Sequence, residues 1–147
     1  MKQHFLQYTL LLFIVSFAYA NEMQIKGFPK KELKNQNIQI ASLAAQAMSK
    51  NLPTKINKFT TLLSVESNAS TLIYIFAINN TKKSDAVIQK EDHSKMQKNI
   101  IAGVCQSAQR FLQAGIDTKY IYLSARTKKL LFQFYITQKK CTKQSSK

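Results

Sequence analysis

The sequence predicts an α+β fold: an antiparallel sheet of about four strands with helices packed on it, in the order helix, hairpin, helix, hairpin. Two observations carry that prediction. Apolar residues recur at helical spacing over 35–51 and again from Ser94 to Gly115. Between and after these stretches, apolar and polar residues alternate in two pairs of strand-length runs.

The first helix is predicted over 35–51, where Ile38, Ala41, Leu43, Ala44, Ala45, Ala47 and Met48 cover a broad face. Alanine is the best helix former, and its small side chain permits close approach to a sheet. Asn35 or Asn37 is suited to cap the start. Pro53 ends the helix, because the residue before proline is pushed away from helical dihedrals. Residues 57–66 and 70–79 then read as a hairpin turning at Ser67-Asn68-Ala69. The second of these strands is apolar on both faces, with Leu72, Tyr74, Phe76 and Ile78 against Ile73, Ile75 and Ala77, which marks it as central.

Asn79 to His93 reads as a polar loop with a weak helical stretch near Ala86–Gln89. From Ser94, Met96, Ile100, Ile101, Val104, Cys105, Ala108, Phe111 and Leu112 form one apolar stripe, and Gly115 is a suitable stop. Residues 119–126 and 129–137 form the second hairpin. With a two-residue loop, Leu123 faces Leu130 and Ile121 faces Phe132, so that Tyr120, Tyr122, Leu131 and Tyr135 share the opposite face.

The chain has 147 residues. Its first twenty resemble a secretory signal: Lys2, an uncharged run from Tyr8 to Ala20, and the small-x-small cleavage pattern Ala18-Tyr19-Ala20. The apolar run is short for a bilayer span, and no basic stop-transfer cluster follows it directly. Cleavage leaves a chain starting at Asn21, with 21–34 as a flexible leader, 35–142 as a single domain and 143–147 as a polar tail. No integral membrane segment is expected in that mature chain, and the periplasm or the exterior is its expected location.

An oxidising compartment is where two cysteines usually pair, so Cys105 and Cys141 are expected to form a disulfide. A metal site needs more ligands, and His93 is the one histidine beyond the signal. A redox pair more naturally has the Cys-x-x-Cys spacing. Closing a loop of this length stabilises a fold by roughly 3.8 kcal/mol in the chain-entropy model.

The net charge is +15, and 22 basic residues face 7 acidic ones. Such a charge attracts anions. The lysines fall in small groups at element ends, no aromatic-interleaved basic stripe exists, and arginine is confined to Arg110 and Arg126. A dedicated nucleic-acid site is therefore not expected. Catalytic motifs are lacking as well. His93 beside Glu91 and Asp92 reads as solvated loop, and the carboxylates fall in turns and at element ends. The expectation is a binding protein, not an enzyme, with no cofactor and no metal.

Several residues together resemble the small cysteine-bridged α/β pilotins of type II secretion systems. They are an alanine-rich helix running into Asn51-Leu52-Pro53-x-Lys55, the pair Phe59-Thr60 opening a strand, and a central helix with Cys105. Gly115-Ile116, Tyr120 in the next strand and Cys141 follow. The resemblance runs from about Ile40 to Cys141. It implies helices on an antiparallel sheet with one disulfide. It also implies a non-catalytic adaptor that binds the C-terminal helix of a secretin and delivers it to the outer membrane. Those pilotins are lipoproteins with an acylated first cysteine, whereas no cysteine precedes Cys105 here.

The expected partner-binding groove uses Tyr120, Tyr122, Leu131 and Tyr135 of the last hairpin, with Ala44 and Met48 of the first helix as walls. Tyrosine suits a surface that is apolar yet wet at one end. Helices on both sheet faces would instead make these tyrosines core or rim residues. The competing function is an exported cationic protein that binds an anionic surface or an acidic partner, as an inhibitor or secreted factor.

Overall fold

A computed structural model describes residues 29–142. The expected signal peptide, most of the leader and the polar tail lie outside the described residues. Helix α1 (Lys30–Ser49) is followed by strands β1 (Thr54–Lys55), β2 (Thr60–Asn68) and β3 (Thr71–Ile78). Helices α2 (Asp85–Lys90), α3 (Ser94–Ser107) and α4 (Gln109–Ala114) come next. Strands β4 (Asp117–Ser124) and β5 (Leu130–Ile136) and helix α5 (Gln138–Thr142) complete the order.

The sheet order is β1-β2-β3-β4-β5. Both expected hairpins exist: β2 pairs β3, and β4 pairs β5, each antiparallel. The junction between them corrects the prediction. β3 and β4 pair in parallel, from Thr71 with Asp117 to Ile78 with Ser124, so the sheet is mixed. A parallel neighbour requires the chain to cross back to the end at which β3 began, and the helical stretch 85–114 makes that crossing. The sheet also has five strands and not about four. The extra one, β1, is two residues long and carries no readable alternation.

Register fixes what each face carries. Leu72, Tyr74, Phe76 and Ile78 align with Thr118, Tyr120, Tyr122 and Ser124. Tyr120 and Tyr122 in turn align with Phe134 and Phe132. Side chains alternate along a strand, so all of these share one face. Each of the three core clusters joins helices to the sheet through it. Ala41 and Ala45 meet Val65 and Leu72. Met96 and Ile100 pack on Phe76, Tyr122 and Phe134. Val104 and Leu112 pack on Ile136. The alanines of α1 do here what the sequence suggested, bringing the helix close to β2 and β3.

Helix α1 starts at Lys30, ahead of the expected Asn35 or Asn37, with Pro29 as its cap residue. Proline fits there because its fixed φ suits the start of a helix and its missing N–H leaves no helical bond unmade. Asn37 serves instead as a tie between helices. Its buried amide donates to the carbonyl of Ala114 and so links α1 to the end of α4. Helix α1 ends before Pro53, as expected, and the Ser49 hydroxyl donates to the Val65 carbonyl at 2.7 Å.

The expected single helix from Ser94 is two, because Ala108 leaves helical dihedrals at φ −117° and ψ 21°. Gly115 terminates α4 at φ 88°, the left-handed conformation in which a glycine carries no Cβ penalty. Cys105 and Cys141 are joined, with Cα atoms 5.5 Å apart, and the bridge clamps α3 to α5.

Candidate functional site

The helix-covered face of the sheet carries a row of stacked rings. Tyr74 and Tyr120 lie 4.9 Å apart between centroids, Phe76 and Tyr122 4.8 Å, and Tyr122 and Phe132 4.6 Å. The His93 ring caps the row 3.8 Å from Phe132, and its Nε2 lies 2.9 Å from the Ile88 carbonyl. His93 is thus a half-buried packing residue and not the solvated loop residue that its sequence neighbours suggested. Offset stacking across strands supplies stability beyond area burial. Burial raises the phenol of Tyr122 to about 12, and burial raises that of Tyr120 further, helped by the neighbouring Tyr74 and Tyr122. These hydroxyls stay neutral, and none is prepared to act as a base.

The six residues expected to form a groove do not share one face. Tyr120 and Tyr122 belong to the helix-covered face, and Tyr122 is 4% exposed. Ala44 packs on the α1 cluster. Met48 is partly exposed, and its sulfur accepts a 3.5 Å bond from the Tyr74 hydroxyl, which places it at the open end of the ring row. Tyr135 pairs with Lys119 on the other face, where its hydroxyl donates to Asp117 at 2.6 Å. Leu131 is the extra residue at a bulge and is buried.

That bulge accounts for the split. Leu123 does face Leu130, as read from the sequence, but Tyr122 then faces Phe132, and Ile121 faces Gln133. An extra residue in one strand moves everything beyond it by one position, and hence to the opposite face.

A different apolar feature lies on the flank of α1. Leu33, Ile40 and Leu43 are 45%, 43% and 65% exposed. They recur at steps of seven and three, which aligns them along one side of the helix, beside the alanine stripe. Next to them, Ile40, Arg110, Phe111, Ala114 and Ile116 line a concavity of about 280 Å³ between α1 and α4. The Asn37–Ala114 hydrogen bond fixes the distance between its two walls. The sequence did contain the signal: a second apolar periodicity beside the alanines, which the breadth of the alanine face concealed.

No constellation for chemistry accompanies this groove. Among the described residues no group of three His, Cys, Asp or Glu side chains could hold a metal ion, and no described helix is long and apolar enough to cross a membrane. Asp85 and Asp92 are held below the usual carboxylate range, Asp85 chiefly by the Thr127 hydroxyl and Asp92 by the backbone N–H of Ser94. The Asp92 bond is local to a helix start, and the Asp85 bond ties the start of α2 to the turn between β4 and β5.

Fold and site together define a small disulfide-bridged α+β module with an apolar flank on α1 and a row of stacked rings on the helix-covered face of its sheet. The chain belongs to the family described as a domain of unknown function, DUF8479, whose model matches residues 21–132. No curated protein matches the sequence. Solved structures do share the fold. A Pseudomonas aeruginosa protein described as secreted superposes with a TM-score of 0.66 at 13% identity, over 74% of this chain and 96% of its own. The pilotin EpsS of the Vibrio vulnificus type 2 secretion system gives 0.62 at 16% identity, over 76% and 96%. The type II secretion system pilotin AspS from Vibrio cholerae gives 0.56 at 19% identity, over 76% and 98%. The resemblance read from the sequence is thus matched by the fold, and the expected Cys105–Cys141 bridge is present.

Proposed function

We propose that this chain is an exported, non-catalytic adaptor that binds an apolar helical segment of an envelope protein, of the kind a type II secretion secretin would present. The observation that carries the reading is the rigid apolar flank. Leu33, Ile40 and Leu43 stand exposed on a long helix beside a concavity lined by Phe111, Ala114 and Ile116. Helix-in-groove binding needs such a stripe with anchor positions one or two turns apart. The pilotin fold of EpsS and AspS supports the choice of partner. Ala44 and Met48 belong to the same helix, Ala44 packed on the α1 core cluster and Met48 bonded to the Tyr74 hydroxyl. The leader signal and the bridge support an envelope location.

Calorimetric titration with a synthetic amphipathic helix, taken from the C-terminus of a secretin encoded in the same genome, tests this reading. Affinity should fall about tenfold or more in Ile40→Asp and Leu43→Asp, both exposed and so compatible with folding. It should also survive moderate salt, because apolar contacts are not screened. Unchanged affinity in folded variants would remove this flank as the site.

A further inference from the structure

The sheet has one end at which three connections emerge together. Register aligns Thr60 with Ile78, and Ile78 with Ser124, while Leu123 faces Leu130. The turn 56–59, the segment 79–84 and the turn 125–129 therefore all leave from the same edge of the molecule. Strands are spaced by a little under 5 Å, so the turn before β2 and the start of β5 lie about 15 Å apart along this end.

The turn 56–59 is held rigidly. The Asn57 carboxamide oxygen accepts from the backbone N–H of both Phe59 and Thr60 at 2.9 Å. Ile56 N–H donates to the Thr60 carbonyl, and Asn79 N–H to that of Phe59. So fixed, the turn holds Ile56 and Phe59 outward, 54% and 52% exposed. Two large apolar side chains on a pinned turn at the tip of a sheet contribute little to the core. Lys58 places its ammonium 5.6 Å from the Phe59 ring centroid.

The same end is strongly cationic. Lys82 and Lys83 follow β3, and Arg126, Lys128 and Lys129 sit in the next turn. Helix α2 is fastened among them, for the Thr127 hydroxyl donates to Asp85 and the Gln89 amide to the Leu130 carbonyl. The carboxylates present are already engaged. Glu91 pairs with Lys83, and Asp85 takes Thr127 with Arg126 at 3.8 Å. With Lys58 counted, six cations share this end with two carboxylates.

We propose that this end of the sheet is a docking surface for an anionic lipid bilayer, with Ile56 and Phe59 entering the headgroup boundary and the lysines meeting lipid phosphates. Charge complementarity selects an anionic occupant. The paired apolar side chains select a membrane over a soluble polyanion, since nucleic acid offers them nothing to bury. The surface lies at a sheet end and is separate from the α1 flank, so its failure would leave the adaptor reading untouched, and the reverse holds too.

The chain contains no tryptophan, so Phe59→Trp introduces a single reporter. With the exported chain and vesicles of phosphatidylcholine, with and without phosphatidylglycerol, its emission should shift to the blue only when the anionic lipid is present. Raising the salt should reverse the shift. Lys128→Glu with Lys129→Glu should lower co-sedimentation with anionic vesicles about tenfold or more, and Phe59→Ala about fivefold. Circular dichroism checks folding, which these exposed positions should not disturb. Two results would overturn the proposal. One is indole emission from the Phe59→Trp variant that stays unchanged on vesicles that carry the chain down. The other is a Phe59→Ala variant that binds anionic vesicles as well as wild type, which would mark a general polyanion surface with nucleic acid or an acidic polymer as its occupant.

Discussion

The two faces of the sheet are built from equally apolar sequence and used differently. One carries Leu72, Phe76, Tyr122, Phe134 and Ile136, and all three helix-joining clusters draw on it. The other carries Ile73, Ile75, Ile121 and Leu123, half-buried, interleaved with Glu66, Lys119, Gln133 and Tyr135. Aliphatic content alone does not distinguish them. What does is ring content: the aromatic residues lie mainly on the helix side, and the charged residues of the inner strands lie on the other. An alternating strand with branched aliphatics on both faces thus declares itself central without saying which face receives the helices.

The largest expected effect breaks or confirms that asymmetry directly. Ile136 is fully buried under Val104 and Leu112. Truncation to alanine should cost about 2–5 kcal/mol, the range for a large core side chain that leaves a cavity. Ile121→Ala, on the other face, should cost less than half of that, because a half-buried site can relax and rehydrate. Urea unfolding of the two variants gives the comparison. Equal losses would show that the second face is as deeply buried in solution as the first.

The bridge sharpens the same contrast, because Cys105 and Cys141 clamp α3 and α5 on the helix side and leave the other face unconstrained. Replacing both with serine should lower stability by about 2–4 kcal/mol, the usual range for a loop of this size. Hydrogen exchange should rise first in α3 and α5, with β2 and β3 still protected. Uniform loosening would mean that the bridge supports the whole fold and not one corner of it.

Much of this was legible in the residues, and the misses have particular causes. Periodicity found the alanine face of α1, the two hairpins, the α3–α4 stripe and the Gly115 stop, because each repeats a local physical preference several times. The parallel pairing of β3 with β4 has no local signature: it depends on where a crossover returns the chain. The bulge at Leu131 is one residue without a turn motif, and it decided whether Phe132 lies beside Tyr122 or Ile121. His93 looked solvated beside Glu91 and Asp92, since nothing in sequence shows that the Phe132 ring of β5 lies 3.8 Å away. Of the residues expected to form a groove, Ala44 packs on the α1 cluster and Met48 bonds Tyr74, while Tyr135 lies across the sheet.

Titration separates the faces by a smaller effect. Burial raises Tyr122 to about 12 on the helix side. A phenol with a raised folded value is more easily ionised in the unfolded chain. Its contribution is therefore whole below the ordinary value near 10 and is lost as pH rises through about 12. Stability should fall across that alkaline window, and Tyr122→Phe should flatten the fall. An alkaline titration followed by phenolate absorbance, with parallel unfolding at each pH, checks both. A normal midpoint for this residue would show that water reaches the ring row.

The smallest effect belongs to the other face. The exposed Tyr135 donates its hydroxyl to Asp117 at 2.6 Å, and this bond is the first cause of its raised phenol. The bond joins β5 to the start of β4 at the sheet end opposite the basic turns. Its partners are wet, so exchange with water offsets most of its energy, and Tyr135→Phe should cost about 0.5–1 kcal/mol. Asp117→Asn should cost a similar amount, and the double variant no more than the larger single, since one interaction is removed in each case. Urea unfolding of the four proteins completes the cycle. Additive losses would show that the two side chains act separately, Tyr135 through ring packing and Asp117 through the start of its strand. A loss as large as that of Ile136→Ala would end the distinction between the faces, because an exposed hydrogen bond has no means of reaching that size unless water is excluded around it.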